Sequence, residues 1–151
     1  EHWHSSYKLI CFGGGPLTDC ENTLIANLKL SHSVVHAQGN DAMLSQFYRG
    51  ASLFVYPSIY EGFGIPPLEA MSVGCPVACA ESSSIPEVCG DAVEYFNPND
   101  AENIALTLDG LLSNSHKAEQ LVTKGFIQAQ KFSWSKCSAE TLECYKLASS
   151  L

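Results

Sequence analysis

The stretch from Leu53 to Met71 limits what this chain can fold into. Leu53-Phe54-Val55-Tyr56 is a short apolar run, the pattern of a parallel strand buried on both faces. A loop follows with a glycine on each side of Phe63, and the run from Pro66 to Met71 reads as a helix start. Strand, glycine-bearing turn and helix N-terminus, in that order, leave backbone N–H groups open to an anion. The proline after it keeps Pro66 out of the α region, so Pro66 is expected at the N-cap, Pro67 at N1 and Glu69 at N3. Leu68, Met71 and Val73 are expected on the helix's buried side.

Two carboxylates, Glu61 and Glu69, frame this loop. A purely structural role for Glu69 is the carboxylate of a capping box, but an N-cap Pro66 has no N–H to bond it. What remains is a favourable interaction with the helix dipole. Glu61 lies between a strand and a glycine, where an exposed polar side chain is more often functional than structural.

Strands and helices alternate on both sides of this stretch. Lys8–Phe12, Ser33–His36, Leu53–Tyr56, Pro76–Ala80 and Ala92–Phe96 read as strands. Between them, Cys20–Leu30 has Leu24, Ile25, Leu28 and Leu30 at helical spacing. A second helix is capped by Asp41 and buries Leu44, Phe47 and Tyr48, and Pro86-Glu87-Val88 makes one turn. Three helices then follow without strands. Asp100 caps the first, with Ile104, Leu108, Leu111 and Leu112 inward. The second carries Leu121, Val122, Phe126 and Ala129. Ser133 caps the third, with Leu142, Tyr145 and Ala148 on one side. The expected fold class is α/β: a Rossmann-like, open, mostly parallel, doubly wound sheet with a helical C-terminal tail. Ligands of such sheets bind beyond the carboxyl ends of the strands, which here are Gly13–Gly15, His36–Asn40, Pro57–Ile65 and Glu81–Ser84.

Composition removes several classes of function. A net charge of −8, with Arg49 the only arginine, argues against a nucleic-acid partner. No apolar run approaches the roughly 20 residues of a membrane span, and Glu1-His2-Trp3-His4 does not begin a signal peptide. With no initiator methionine, the chain is expected to start inside a longer polypeptide. The seven cysteines are scattered, and no C-x-x-C pair suggests a metal or redox site, so reduced thiols are expected. His2 and His4 flank Trp3 without the company that a metal site needs. Gly13-Gly14-Gly15-Pro16 lacks the G-x-G-x-x-G spacing of a dinucleotide fingerprint and reads as a tight turn, which disfavours a nicotinamide-binding oxidoreductase.

Glu61 and Glu69 are separated by seven residues, and the wording around them is distinctive. Tyr60-Glu61-Gly62-Phe63-Gly64-Ile65-Pro66-Pro67-Leu68-Glu69-Ala70-Met71 is followed by Gly74-Cys75-Pro76-Val77. Then come Ile85-Pro86-Glu87-Val88, Gly90-Asp91-Ala92 and, near the end, Phe132-Ser133-Trp134. In order and spacing these resemble the group 1 glycosyltransferases, retaining enzymes of the two-Rossmann-domain GT-B type, over almost the whole chain. The wording from Ile65 to Met71 resembles bacterial mannosyltransferases of surface polysaccharide and lipopolysaccharide synthesis.

The resemblance implies a donor-binding domain, the C-terminal half of a GT-B fold, that moves a hexose from a nucleotide diphosphate sugar to a glycan or lipid-linked acceptor. Glu69 would hold the ribose diol. Glu61 would contact hydroxyls of the transferred sugar as the catalytic carboxylate. Backbone N–H groups around Phe63, Gly64 and Ile65 would face the sugar and diphosphate, with Gly62 and Gly64 allowing close approach. The base is expected after Val34-Val35-His36, near His36, Gly39 and Leu44, although a histidine at a strand end is also an ordinary surface residue. No metal and no cofactor is implied, and GDP-mannose is the first donor to try.

A departing diphosphate calls for positive charge, yet Arg49 is the only formal cation between Lys29 and Lys117, and it reads as a helix end. The family's basic pair lies in a preceding strand–helix unit. Residues 1–151 are therefore expected to be a single nucleotide-sugar-binding domain without that unit and without the N-terminal acceptor-binding domain of the same polypeptide. The full-length enzyme is expected in the cytoplasm, with peripheral attachment at the inner face of the membrane through other segments. Two further readings stay open: a non-catalytic sugar-nucleotide-binding module, and another GT-B enzyme such as a phosphorylase or nucleotide-sugar synthase.

Overall fold

The computed structural model describes residues 7–149; His2, Trp3 and His4 lie outside them. Strands and helices alternate as β1 (Leu9–Phe12), α1 (Asp19–Asn27), β2 (Val34–Ala37), α2 (Asp41–Gly50), β3 (Phe54–Tyr56), α3 (Ile65–Ser72), β4 (Val77–Ala80), α4 (Ile85–Cys89) and β5 (Glu94–Phe96). The helices α5 (Ala101–Leu112), α6 (Ser115–Ala129) and α7 (Trp134–Ser149) complete the order. All the strand pairs are parallel: β1 with β2 in one sheet, and β3-β4-β5 in another. The chain forms two compact units that divide between Leu44 and Ser45.

In the first unit, Leu9 pairs with Val34 and Phe12 with Ala37. Gly13 extends the ladder through its N–H to the Ala37 carbonyl at 3.0 Å. Gly13 and Gly14 then turn the chain at φ +85° and +64°, a left-handed conformation that favours glycine. Helix α1 begins at a capping box: the Thr18 hydroxyl accepts from the Glu21 N–H, and the Glu21 carboxylate accepts from the Thr18 N–H at 2.7 Å. This backbone bond from Thr18 holds Glu21 below the usual carboxylate range. Leu24 and Leu28 are each 58% exposed and no α1 residue is buried. The expected cap of α2 shifts by one residue. Asn40 accepts from the Met43 N–H at 3.1 Å, and Asp41 is the first helical residue.

The second unit is built on β4. All four of its residues are buried, with β3 on one side and β5 on the other. Ala78, Ala80 and Phe96 pack with Leu111 of α5 and Leu121 of α6, and Leu53, Val55, Ile104 and Leu108 close around them. Asp100 caps α5, as expected, by accepting from the Glu102 and Asn103 N–H groups. The Ser133 hydroxyl does the same for α7 through the Lys136 N–H.

Helix α3 lies against α6 at Gly125, where an added Cβ would meet Met71 Cγ at 3.0 Å. Phe126 is 43% exposed, and its ring lies over Gly74, which turns at φ +82°. Leu142, Tyr145 and Ala148 are exposed too, and α7 holds no buried residue. All seven cysteines are free thiols, and burial pushes Cys75 up to about 11.

Gln128 is the buried polar residue of this core, and its bonding explains its place. Its Nε2 donates to the Val88 carbonyl at 2.6 Å and its Oε1 accepts from Lys131 Nζ at 2.7 Å, so α6 is bonded to α4. Gln128→Ala should therefore cost about 1–3 kcal/mol, since the Val88 carbonyl loses its partner in a buried place. Urea denaturation checks this; a loss below about 0.5 kcal/mol would mean that the bond contributes little.

Candidate functional site

Strand β3 delivers the chain to the loop of Pro57–Gly64, and α3 leaves from it. The N-cap of α3 is Gly64, at φ +109°, not Pro66. An added Cβ at Gly64 would meet Ile85 Cδ1 at 2.7 Å, so neither the conformation nor the space suits a side chain there. The helix consequently starts two residues earlier than expected. Ile65 occupies N1, Pro66 and Pro67 occupy N2 and N3, and Glu69 falls at N5 instead of N3. Prolines fit at N2 and N3 because those N–H groups have no partner inside a helix. They also remove two of the donors that such a terminus normally offers an anion. The open backbone donors are those of Phe63, Gly64 and Ile65, none of which donates to a protein acceptor among the described residues.

Glu61 is held at one oxygen. Its Oε1 accepts from the Tyr56 hydroxyl at 2.6 Å and from the Ser58 hydroxyl at 2.7 Å. These bonds, Tyr56 first, hold Glu61 below the usual carboxylate range. Burial, then the bond to Glu61, pushes the Tyr56 phenol above its ordinary value. The two shifts agree on a single state, an ionised carboxylate receiving a phenolic proton.

The loop backbone is held from the turn after β4. Ser82 donates to the Ser58 carbonyl at 2.9 Å, Ser83 to the Glu61 carbonyl at 2.8 Å, and Ser84 to the Glu61 and Phe63 carbonyls at 3.0 Å each. The Phe63 ring meets Phe132 edge-on, with centroids 5.6 Å apart.

Glu69 is exposed on α3 and is held loosely. The Tyr48 hydroxyl lies 3.5 Å from its Oε2, a weak contact beside those made by Glu61. Burial, then Glu69, pushes the Tyr48 phenol upward. Arg49 is in the last turn of α2 and exposed, as expected of a helix-end cation.

The structure thus brings Glu61, Gly62, Phe63, Gly64, Ile65 and Glu69 together on one loop and the helix that follows it, in the second unit. His36, Gly39 and Leu44 belong to the first unit, on β2, the turn after it and α2. His36 already has a structural task. Its Nε2 lies 3.0 Å from the Gly13 carbonyl, which requires the proton on that nitrogen, and Gln38 holds the Gly14 carbonyl at 2.9 Å. A recess of about 350 Å³ lies along α1, lined by Asp19, Cys20, Thr23, Leu24 and Asn27 and by none of the candidate residues. No three His, Cys, Asp or Glu side chains gather for a metal among the described residues. There too, no helix is long and apolar enough to cross a membrane.

Sequence reasoning singled out the Glu81–Ser84 loop by its place at a strand end but not the job of its hydroxyls. It also treated Tyr56 as a core strand residue. The signal for Tyr56 was present: a phenol at a strand's last position, five residues before a candidate carboxylate, can reach that carboxylate when the loop folds back.

Known proteins resemble this chain in sequence and in fold. The chain is 45% identical over 107 residues to "O-antigen chain mannosyltransferase B" of Escherichia coli, an overlap of 71% of this chain and 28% of that enzyme. It is 32% identical over 130 residues to "MMP alpha-(1->4)-mannosyltransferase" of Mycolicibacterium hassiacum, covering 83% of this chain and 32% of the relative. It therefore spans less than a third of either curated relative. Among solved structures, the Anabaena protein HepE in complex with UDP superposes with a TM-score of 0.80 at 19% identity, over 96% of this chain and 41% of that one. The profile described as "Glycosyl transferases group 1" matches residues 1–127. This chain belongs to the group 1 glycosyl transferases, and its fold is that of their C-terminal GT-B half.

Proposed function

We propose that this chain is the donor-binding part of a retaining mannosyltransferase that uses a nucleotide diphosphate sugar and builds a surface polysaccharide such as an O-antigen. The observation that carries this reading is the loop after β3. It presents a fixed, ionised carboxylate next to three open backbone N–H groups, beyond the carboxyl end of a parallel strand. Glu61, with its second oxygen unused by the Tyr56 and Ser58 bonds, contacts hydroxyls of the sugar being transferred. The N–H groups of Phe63, Gly64 and Ile65 face the sugar and diphosphate. Glu69 accepts from the ribose diol, and its loose hold by Tyr48 leaves it free to adjust. The names of the two curated relatives support mannose, and the UDP bound by the Anabaena protein supports a nucleotide diphosphate. GDP-mannose is the donor to test first.

The diphosphate needs more positive charge than this loop supplies. Within the second unit Lys117 pairs with Glu94 at 2.7 Å and Lys124 with Asp91 at 2.8 Å, while Lys131 is engaged by Gln128. With two of the α3 donors replaced by proline, the dipole has few N–H groups through which to act. The basic groups, like the acceptor-binding domain, belong in this reading to other parts of a longer polypeptide that works at the cytoplasmic face of a membrane.

Two substitutions in the full-length enzyme test the two carboxylates separately. Glu69→Gln should weaken nucleotide binding about ten- to hundredfold, the loss of one charge-assisted hydrogen bond, and leave the thermal midpoint nearly unchanged. Calorimetry showing that ribose and 2′,3′-dideoxyribose nucleotides bind equally well to the wild type would remove Glu69 from the ribose. Glu61→Ala should reduce turnover far more than it reduces affinity for free GDP. Equal losses in both would place Glu61 on the nucleotide and not on the sugar.

A further inference from the structure

An aromatic row runs behind the two carboxylates. Tyr48 meets Phe54 edge-on, with centroids 5.0 Å apart and planes at 79°. Phe54 stacks on Tyr56 at 5.9 Å and 30°. At one end the Tyr48 hydroxyl faces Glu69, and at the other the Tyr56 hydroxyl donates to Glu61. The Tyr56 ring is thus fixed by its neighbour in the row and by the parallel ladder, where Tyr56 pairs with Cys79 of β4. A group anchored in this way can set the position of a side chain on a loop.

We propose that Tyr56, assisted by Ser58, is the positioning residue for Glu61: the two hydroxyls occupy Oε1 and turn Oε2 toward the transferred sugar. This rests on the reading of Glu61 as the sugar-contacting carboxylate. A glutamate on a glycine-flanked loop has several rotamers open to it, and two short bonds to one oxygen select one of them. Both bonds are to an ionised acceptor, the stronger kind. Ser58 also lies 3.4 Å from the Tyr60 carbonyl, but its one proton favours the 2.7 Å contact with Glu61. The loop carbonyls on either side are meanwhile held by Ser82, Ser83 and Ser84, so backbone and side chain are fixed from different directions. Cys79 on β4 is the other titratable group that acts on Tyr56, and the Ser82–Ser84 turn offers Glu61 hydroxyls and no charge. What is positioned is an interaction with the reacting sugar, so the gain belongs to turnover and not to nucleotide affinity.

Tyr56→Phe in the full-length enzyme removes the hydroxyl and keeps the ring on Phe54. Two readouts are needed: GDP release from GDP-mannose, and the titration midpoint of the Glu61 carboxyl followed by 13C NMR, assigned by its loss in Glu61→Gln. The wild-type midpoint should lie below that of an ordinary glutamate. In Tyr56→Phe it should rise, because the charged form has lost a donor. The kcat should fall about tenfold, with KM and the Kd for GDP within about twofold of wild type. Ser58→Ala should change both readouts in the same direction by less. An unmoved midpoint with kcat within twofold of wild type would overturn the proposal. So would a loss of GDP affinity as large as the loss of turnover, which marks general damage to the loop. If Glu61→Ala itself keeps wild-type turnover, the reading of Glu61 fails first and the positioning role falls with it, so the two failures are distinguishable.

Discussion

The burial of β4 governs the second unit. Val77, Ala78, Cys79 and Ala80 have no exposed surface, and a strand covered on both faces must have partners on both edges to satisfy its backbone. That requirement fixes β3 and β5 in parallel register beside it and obliges the connections to run as helices. It also brings the carboxyl ends of β3 and β4 side by side, since Tyr56 pairs with Cys79. The loop leaving β3 and the turn leaving β4 then meet, and the three serine hydroxyls find the loop carbonyls. The geometry around Glu61 follows from a core strand that Glu61 does not belong to.

The loop so held is better suited to fix a carboxylate than to neutralise phosphates. Two hydroxyls bond Glu61, the helix that follows carries prolines at N2 and N3, and the lysines of α6 are paired with Glu94 and Asp91. A nucleotide diphosphate sugar has parts that suit this chemistry, the sugar hydroxyls and the ribose diol, and a part that does not, the diphosphate. In the proposed reading, a division of labour answers that mismatch, with selection of hydroxyls on this loop and charge neutralisation supplied by other residues.

Much of this was legible in the letters because the relevant signals are local. The apolar runs at β3 and β4, the Asp100 and Ser133 caps and the glycine-flanked loop each depend on a few neighbouring residues, and each takes the form expected, except that β3 is half-buried rather than buried on both faces. The start of α3 was misread because two prolines fit N2 and N3 as well as the N-cap and N1. The deciding fact, the left-handed Gly64 pressed against Ile85, is a contact across the fold. The serine bonds to Glu61, from 22 and 23 positions away, were out of reach for the same reason. Along α1 and α7 the sequence shows residues that share a face, and neither helix holds a buried residue. Periodicity shows which residues share a face, but not whether anything covers it.

The central claim is that a nucleotide diphosphate sugar lies across the loop and the first turns of α3, with its sugar at Glu61 and its ribose at Glu69. A crystal structure of the full-length enzyme with GDP-mannose tests it most directly. The account predicts sugar hydroxyls within about 2.5–3.2 Å of Glu61 Oε2, the ribose diol at the same range from Glu69, and Tyr56 still bonded to Oε1. A donor bound with neither carboxylate in reach of its hydroxyls would contradict it.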